Sequence, residues 1–166
     1  MADGGAKILV LTTGGTIDKS YFDALSDYKT GDPQAPRLLE VARVACPYEV
    51  RELMRKDSLD LDDADRAAIV AAVAESDAGR IVITHGSDTM TQSALALGEA
   101  AAGKTVVFTG AMAPARFAET DAPFNLGMAF AAAQVAPPGV YIAMSGTLFP
   151  ADRAAKDRAR GVFVGK

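Results

Sequence analysis

The chain has little of what several kinds of chemistry require. It holds one histidine and one cysteine, Cys46, among 166 residues. A single thiol forms no internal disulfide, and no CxxC or HxxxH pair offers a transition-metal site, so no metal or cofactor is expected. Cys46, between Ala45 and Pro47, reads as a small buried side chain rather than a nucleophile. Lysine and arginine number 17 against 21 acids, giving a net charge of -4. Without a basic run, a nucleic-acid surface is not expected. The densest basic stretch, "DRAAKDRARGVFVGK" (152–166), also carries acids and reads as a solvated helix face. No apolar run reaches a membrane-spanning length, and "MADGGAK" at the start has no apolar signal segment, so a cytoplasmic protein without membrane contact is expected. Both phosphate-loop patterns, GxGxxG and GxxxxGK[ST], are also missing.

What remains is a composition that is 49% hydrophobic over a length suited to one domain spanning 1–166. Apolar runs stand at 7–13, 48–53, 80–85, 105–110 and 139–144. Four are continuous, as strands buried on both faces should be. The second, "YEVREL", is more polar and alternating, which suits an edge. Helical patterns lie between them at 36–44, 61–76, 90–103 and 122–135. Gly103 reads as a C-cap, and Asp121 as an N-cap with Pro123 in the first turn. This β-α alternation predicts an α/β fold: a doubly wound, mostly parallel sheet with helices on both faces and right-handed crossovers. The polar stretch 18–35 reads as a long loop, of a length that often serves as a lid.

Ligands of such sheets bind beyond the carboxyl ends of the strands. Hydroxyls and acids cluster at those ends: Thr12, Thr13 and Thr16; Asp57 and Ser58; Thr84, His85, Ser87 and Asp88; Thr109; Ser145 and Thr147. They fit a small polar ligand with several hydrogen-bonding groups. In "LVLTTGGTID" (9–18), Gly14-Gly15 can be a tight turn, a platform for a hydroxyl, or an anion site. "THGSDTM" (84–90) can be a helix start with a Thr89–Gln92 capping box, or a crevice in which Ser87 and Asp88 orient a water or an amine. His85 reads as a strand-end side chain bonded to the backbone rather than a general base.

"LTTGGTI" and "ITHGSDTM", followed by "GAM" and "DAPFN", resemble the bacterial-type L-asparaginase family. The resemblance runs from about Lys7 to about Phe163. It implies an amidohydrolase that converts asparagine to aspartate and ammonia, with glutamine as an alternative substrate. Carried over residue by residue, it places the nucleophile on Thr16 and the loop tyrosine on Tyr21, with Tyr28 as its rival. The second threonine and the aspartate of the family's TDT box fall on Ser87 and Asp88, and the catalytic lysine falls on Lys156. The substrate-binding set is Gly15, Asp57, Ser58, Gly86 and Ala111. Departures are Ser87 in place of threonine, Asp18 beside the nucleophile, Leu59 where a polar residue is common, and Ala122 in place of glycine. The smaller second domain of longer members is expected to be absent, and a homodimer or homotetramer is expected.

Amide hydrolysis needs a nucleophile, a base, an acid for departing ammonia and donors for the oxyanion. The expected division of labour has Thr16 attacking the amide carbon and Tyr21 relaying the proton. Ser87, Asp88 and Lys156 position the hydrolytic water, and Gly14-Gly15 shape the turn that presents Thr16. The 18–35 loop closes over substrate. The rival reading is a module that binds an amino acid without turning it over.

Overall fold

In the computed structural model, which describes residues 6–166, all five apolar runs are strands. They are β1 (Ile8–Gly14), β4 (Tyr48–Lys56), β5 (Arg80–Thr84), β6 (Thr105–Thr109) and β7 (Gly139–Met144). Together with β8 (Thr147–Pro150) they form one sheet in the order β4-β1-β5-β6-β7-β8, parallel except for β8. The alternating segment lies at the edge, as its pattern predicts, while every residue of β1 is buried. β8 is tied to β7 by Ser145-Gly146, both at positive φ (53° and 71°), the geometry of a two-residue hairpin turn. The N-terminal reading of "MADGGAK" falls largely on residues 1–5, outside the described residues.

Helices cover both faces. α2 (Asp63–Glu75) and α3 (Met90–Ala96) pack Ile69, Val73, Met90 and Ala94 against Leu11, Ile83 and Phe108. α1 (Ala35–Val41) and α4 (Ala122–Val135) pack Leu38, Leu39, Leu126 and Phe130 against Ile8, Val10, Val82 and Val107. These two periods, two along strands and near four along helices, are what the sequence patterns predict.

The crossovers do not all share one hand. The β1–α1–β4 unit moves one way along the sheet over one face. The β4–α2–β5 and β5–α3–β6 units move the other way over the other face, so the three agree. The β6–α4–β7 unit moves in the second direction but passes over the α1 face, which gives it the opposite hand. This corrects the expectation of uniform right-handedness. The reason lies in what occupies the α3 face beside β7. Phe149, Ala151, Ala154 and Phe163 from the C-terminal segment pack there with Ile142 and Met144. α4 is thereby sent to the other side, and the C-terminal segment is held next to α3.

Two polar stretches differ from expectation. Residues 152–166 are not a helix: they form an antiparallel pair, β9 (Ala154–Asp157) and β10 (Val162–Gly165), with Phe163 as an apolar anchor. The 18–35 stretch is not structureless: it folds as a hairpin of β2 (Lys19–Phe22) and β3 (Asp27–Thr30), with Tyr21 opposite Tyr28. Cys46 is half-buried rather than buried. Asp121 precedes α4 but does not cap it. Its carboxylate accepts the N–H groups of Met112 and Ala113, at 3.0 Å each, and fixes the loop after β6.

Candidate active site

Gly14 and Gly15 end β1 at φ 104° and 86°, a region that glycine enters at little cost. The chain then turns into a 3₁₀ turn, Thr16–Asp18, with Thr16 at its head. The approach of neighbouring backbone is as demanding as the φ angles. A β-carbon on Gly15 would lie 2.4 Å from the nitrogen of Gly86, and one on Gly86 would lie 2.5 Å from the Ser58 side chain. The loops after β1, β4 and β5 are therefore stacked directly on one another. Gly15 N–H donates to the Lys56 carbonyl (2.9 Å), and the Thr89 hydroxyl donates to the Ser58 carbonyl (2.8 Å). That bond replaces the expected Thr89–Gln92 capping box: Thr89 leaves the helix uncapped and ties two loops together.

Ser87, Asp88 and Lys156 meet. The Lys156 ammonium donates to Ser87 Oγ and to Asp88 Oδ1, each at 2.8 Å. Lys156 is supplied by β9, which the C-terminal hairpin holds against the α3 face. Only 15% of its side chain is exposed, and Asp88 also accepts an ion pair from Arg158 at 3.0 Å. Sequence reasoning alone does not single out Arg158. It lies in the turn that follows β9, two residues beyond Lys156.

Thr16 is half-buried and lines an open cleft of about 540 Å³ with Lys19, Asp27, Tyr28, Met112, Pro114 and Phe117. Of the two candidate tyrosines, Tyr28 faces this cleft. Tyr21 stacks edge-on against Tyr28, with ring centroids 5.5 Å apart, and is 54% exposed. Phe117 flanks Tyr28 on the other side.

The remaining predicted residues divide. Ser58 is buried against Gly86. Asp57 pairs with Lys19 Nζ at 2.8 Å and accepts the N–H of Leu59. Burial disfavours its charged form. The Lys19 and Leu59 bonds outweigh that, with help from the charges of Lys19 and Lys156, and hold the carboxyl below its usual range. Ala111 is buried in the core, and its neighbour Met112 reaches the cleft instead. Asp18 turns away from Thr16. It is 2% exposed and accepts the N–H of Gln34 at 2.8 Å. Burial raises its carboxyl to about 7 against the opposing pull of that bond and of Arg116.

His85 is fully buried. Its Nδ1–H donates to the Gly86 carbonyl (2.7 Å), so Nε2 accepts from the Ser93 hydroxyl (2.8 Å). Burial lowers its pKa to about 4, which keeps it neutral at physiological pH. It serves as a structural bolt beneath the Gly86 loop, in line with its sequence reading. Among the described residues, no group of three or more His, Cys, Asp or Glu is arranged to hold a metal ion, and no helix is long and apolar enough to cross a membrane.

Comparison with known proteins identifies the family. The family model described as "Asparaginase, N-terminal" matches residues 7–163. An L-asparaginase of Thermococcus kodakarensis is 34% identical over 94% of this chain and 49% of its own length. A component of the glutamyl-tRNA(Gln) amidotransferase of Pyrobaculum aerophilum is 34% identical over 80% of this chain and 33% of its own. The crystal structure of L-asparaginase I from Vibrio cholerae superposes with a TM-score of 0.83 at 27% identity, covering 97% of this chain and 51% of that one. The chain thus spans about half or less of the length of these relatives. It belongs to the asparaginase family, which it matches through the family's N-terminal domain.

Proposed function

We propose that the chain is an amidohydrolase that releases ammonia from L-asparagine through an acyl-enzyme on Thr16. One observation carries this reading. Lys156, brought in 68 residues downstream of Asp88, donates to both Ser87 and Asp88 at hydrogen-bond distance. A solvated surface lysine has no need of that placement.

In the first step Thr16 Oγ attacks the side-chain amide carbon, and its proton passes through a tyrosine to the departing nitrogen. An ester on Thr16 and free ammonia result. In this reading Tyr28, which lines the Thr16 cleft, serves as the relay in preference to Tyr21, which stacks edge-on against its ring. Gly15 N–H is already engaged with Lys56, so oxyanion donors come from the N–H groups at the head of the 16–18 turn. In the second step Ser87 orients a water toward the ester, and Lys156 and Asp88 hold Ser87 in place. Aspartate leaves and Thr16 is restored. L-Glutamine differs by one methylene, a difference worth only ~1–3 kcal/mol in a pocket, and is the alternative substrate.

The proposal extends to assembly and place. Tyr21, Phe22 and Leu25 are exposed on the hairpin, and this apolar surface suits burial in a homodimer or homotetramer. The half-buried free thiol of Cys46 suits the reducing cytoplasm. A second reading, an amino-acid-binding module without turnover, is favoured by the exposure of both hairpin tyrosines. Release of ammonia and aspartate from L-asparagine distinguishes the two.

A further inference from the structure

The β2–β3 hairpin carries Tyr28 to the Thr16 cleft, yet it shares no strand with the main sheet. Its strand residues are all half-buried or exposed. A two-stranded hairpin is marginally stable by itself in water. The direction in which it stands is therefore set by what grips its base. That direction matters for a proton relay, where a misplacement of about 1 Å can cost on the order of 10²-fold in rate.

The grip comes from the loop after β6, which is itself fixed. Asp121 holds the N–H groups of Met112 and Ala113, and the Thr120 hydroxyl donates to the Ala113 carbonyl at 2.8 Å. Ala115 is bonded on both sides: its N–H donates to the Ile17 carbonyl (3.1 Å), and its carbonyl accepts from Arg37 Nη2 (2.9 Å). From this platform Arg116 reaches across the hairpin base. Its Nη1 donates to the Asp18 carbonyl at 2.9 Å and lies 3.3 Å from that of Lys19, while Nη2 lies 3.4 Å from that of Asp32. One guanidinium thus bridges the chain entering β2 and the chain leaving β3. The next residue, Phe117, meets the Tyr28 ring edge-on, with centroids 5.8 Å apart. The other links are weaker. The Lys19–Asp57 and Arg55–Asp32 ion pairs are partly exposed to solvent, where such pairs contribute little. The bond from Gly31 N–H to the Asp18 carbonyl closes the hairpin on itself without tying it to the body.

We infer that Arg116 is a positioning residue for the amide hydrolysis: it clamps both arms of the hairpin to the loop after β6 and so holds Tyr28 at the Thr16 cleft. This rests on the proposed relay through Tyr28 and adds to it the group that keeps the tyrosine in place. Arginine suits the task because its planar fork presents donors to two arms of chain at once, where a lysine ammonium is a single point of charge. Its bonds to the carbonyls are also charge-assisted, which makes them stronger than bonds between neutral groups. Arg116 touches no reacting atom and acts through the hairpin alone.

The test joins nuclear magnetic resonance relaxation to turnover in the wild type, Arg116→Met and Arg116→Lys. In the wild type, backbone order parameters over 19–30 should match the rigid value of about 0.85. In Arg116→Met they should fall below about 0.6, with β1, β5 and β6 unchanged. Ammonia release from L-asparagine by Arg116→Met should lose about tenfold or more in kcat, with KM within about threefold, because Thr16 and the Ser87 cluster stay in place. Arg116→Lys keeps the charge without the fork and should recover part of both losses. A merely structural arginine would shift stability and leave turnover alone, so an unchanged kcat in Arg116→Met overturns the assignment. Order parameters that stay high in the variant, or that are already low in the wild type, do the same. A wild type that releases no ammonia, with the hairpin loosening in Arg116→Met as expected, removes the hydrolase and leaves Arg116 as the clamp of the hairpin.

Discussion

Gly15 and Gly86 touch backbone to backbone: a β-carbon on Gly15 would fall 2.4 Å from the Gly86 nitrogen. The contact sets the spacing of the two hydroxyl-bearing loops, because Thr16 and Ser87 each stand one residue beyond it. Gly15→Ala must therefore displace one loop and also strain a residue at φ 86°. We expect a loss of about 3 kcal/mol or more in chemical denaturation, with catalysis abolished in whatever fraction still folds. A variant of wild-type stability and activity would show that the loops do not need this contact.

The Ser87–Lys156–Asp88 cluster predicts a specific hierarchy. Lys156→Met and Ser87→Ala should each lower kcat by about 10²–10⁴ with small effects on Tm. Ser87→Thr keeps the hydroxyl within reach of Lys156 and should retain activity within about tenfold, with some loss because the added methyl enters a buried position. Activity that survives Lys156→Met would remove this cluster from the reaction.

Asp18 and His85 titrate with opposite signs. The native Asp18 carboxyl holds its proton to about 7, against 3.8 when unfolded. In that window the native state binds more protons, so this group's contribution to stability falls as pH rises. His85 is depressed from 6.5 to about 4. The unfolded state binds more protons there, so its contribution rises with pH and is lost on acidification. Between about pH 4 and 6.5 the two slopes oppose each other. Asp18→Asn keeps the acceptor for the Gln34 N–H and deletes one slope. Its stability should climb from pH 4 to 6.5 and exceed the wild type at pH 8 by ~2–4 kcal/mol. Superimposable pH–stability curves for the two proteins would contradict the account.

Lys104 tests a purely structural claim. Its ammonium donates to the carbonyls of Val73 and Ser76 at the C-terminal end of α2, where unpaired carbonyls and the helix dipole favour a cation. Lys104→Met should cost ~1–2 kcal/mol in urea denaturation and leave turnover unchanged. A silent substitution would show that water serves these carbonyls equally well.

Which parts are legible in the sequence follows from locality. Strands β1, β5, β6 and β7 are legible because residues buried on both faces leave uninterrupted apolar runs. α4 is legible to the residue, with Pro123 near its start. The 19–30 hairpin is not: its two four-residue strands are largely exposed, so "KSYF" and "DYKT" carry no burial pattern. The C-terminal pair is only faintly marked for the same reason, since only Phe163 and Ala154 are buried: the apolar run before Lys166 suggests a final strand, and its partner β9 is silent. The hand of the β6–α4–β7 crossover depends on which face Phe149 and Phe163 already occupy, a non-local fact. At the site, the two family motifs lead directly to Thr16, Ser87 and Asp88. Lys19 is silent in the sequence because its partner Asp57 lies in another loop. The balance between Tyr21 and Tyr28 turns on a hairpin register that no periodicity announces.

The most direct measurement of the central claim is ammonia and aspartate release from L-asparagine by the wild type and by Thr16→Ala in parallel. The account predicts release by the wild type and loss of at least ~10³-fold in the variant, with L-aspartate still bound. Release that survives in Thr16→Ala would contradict Thr16 as the nucleophile. No release from asparagine or glutamine by a folded, ligand-binding wild type would contradict the hydrolase and leave an amino-acid-binding domain in its place.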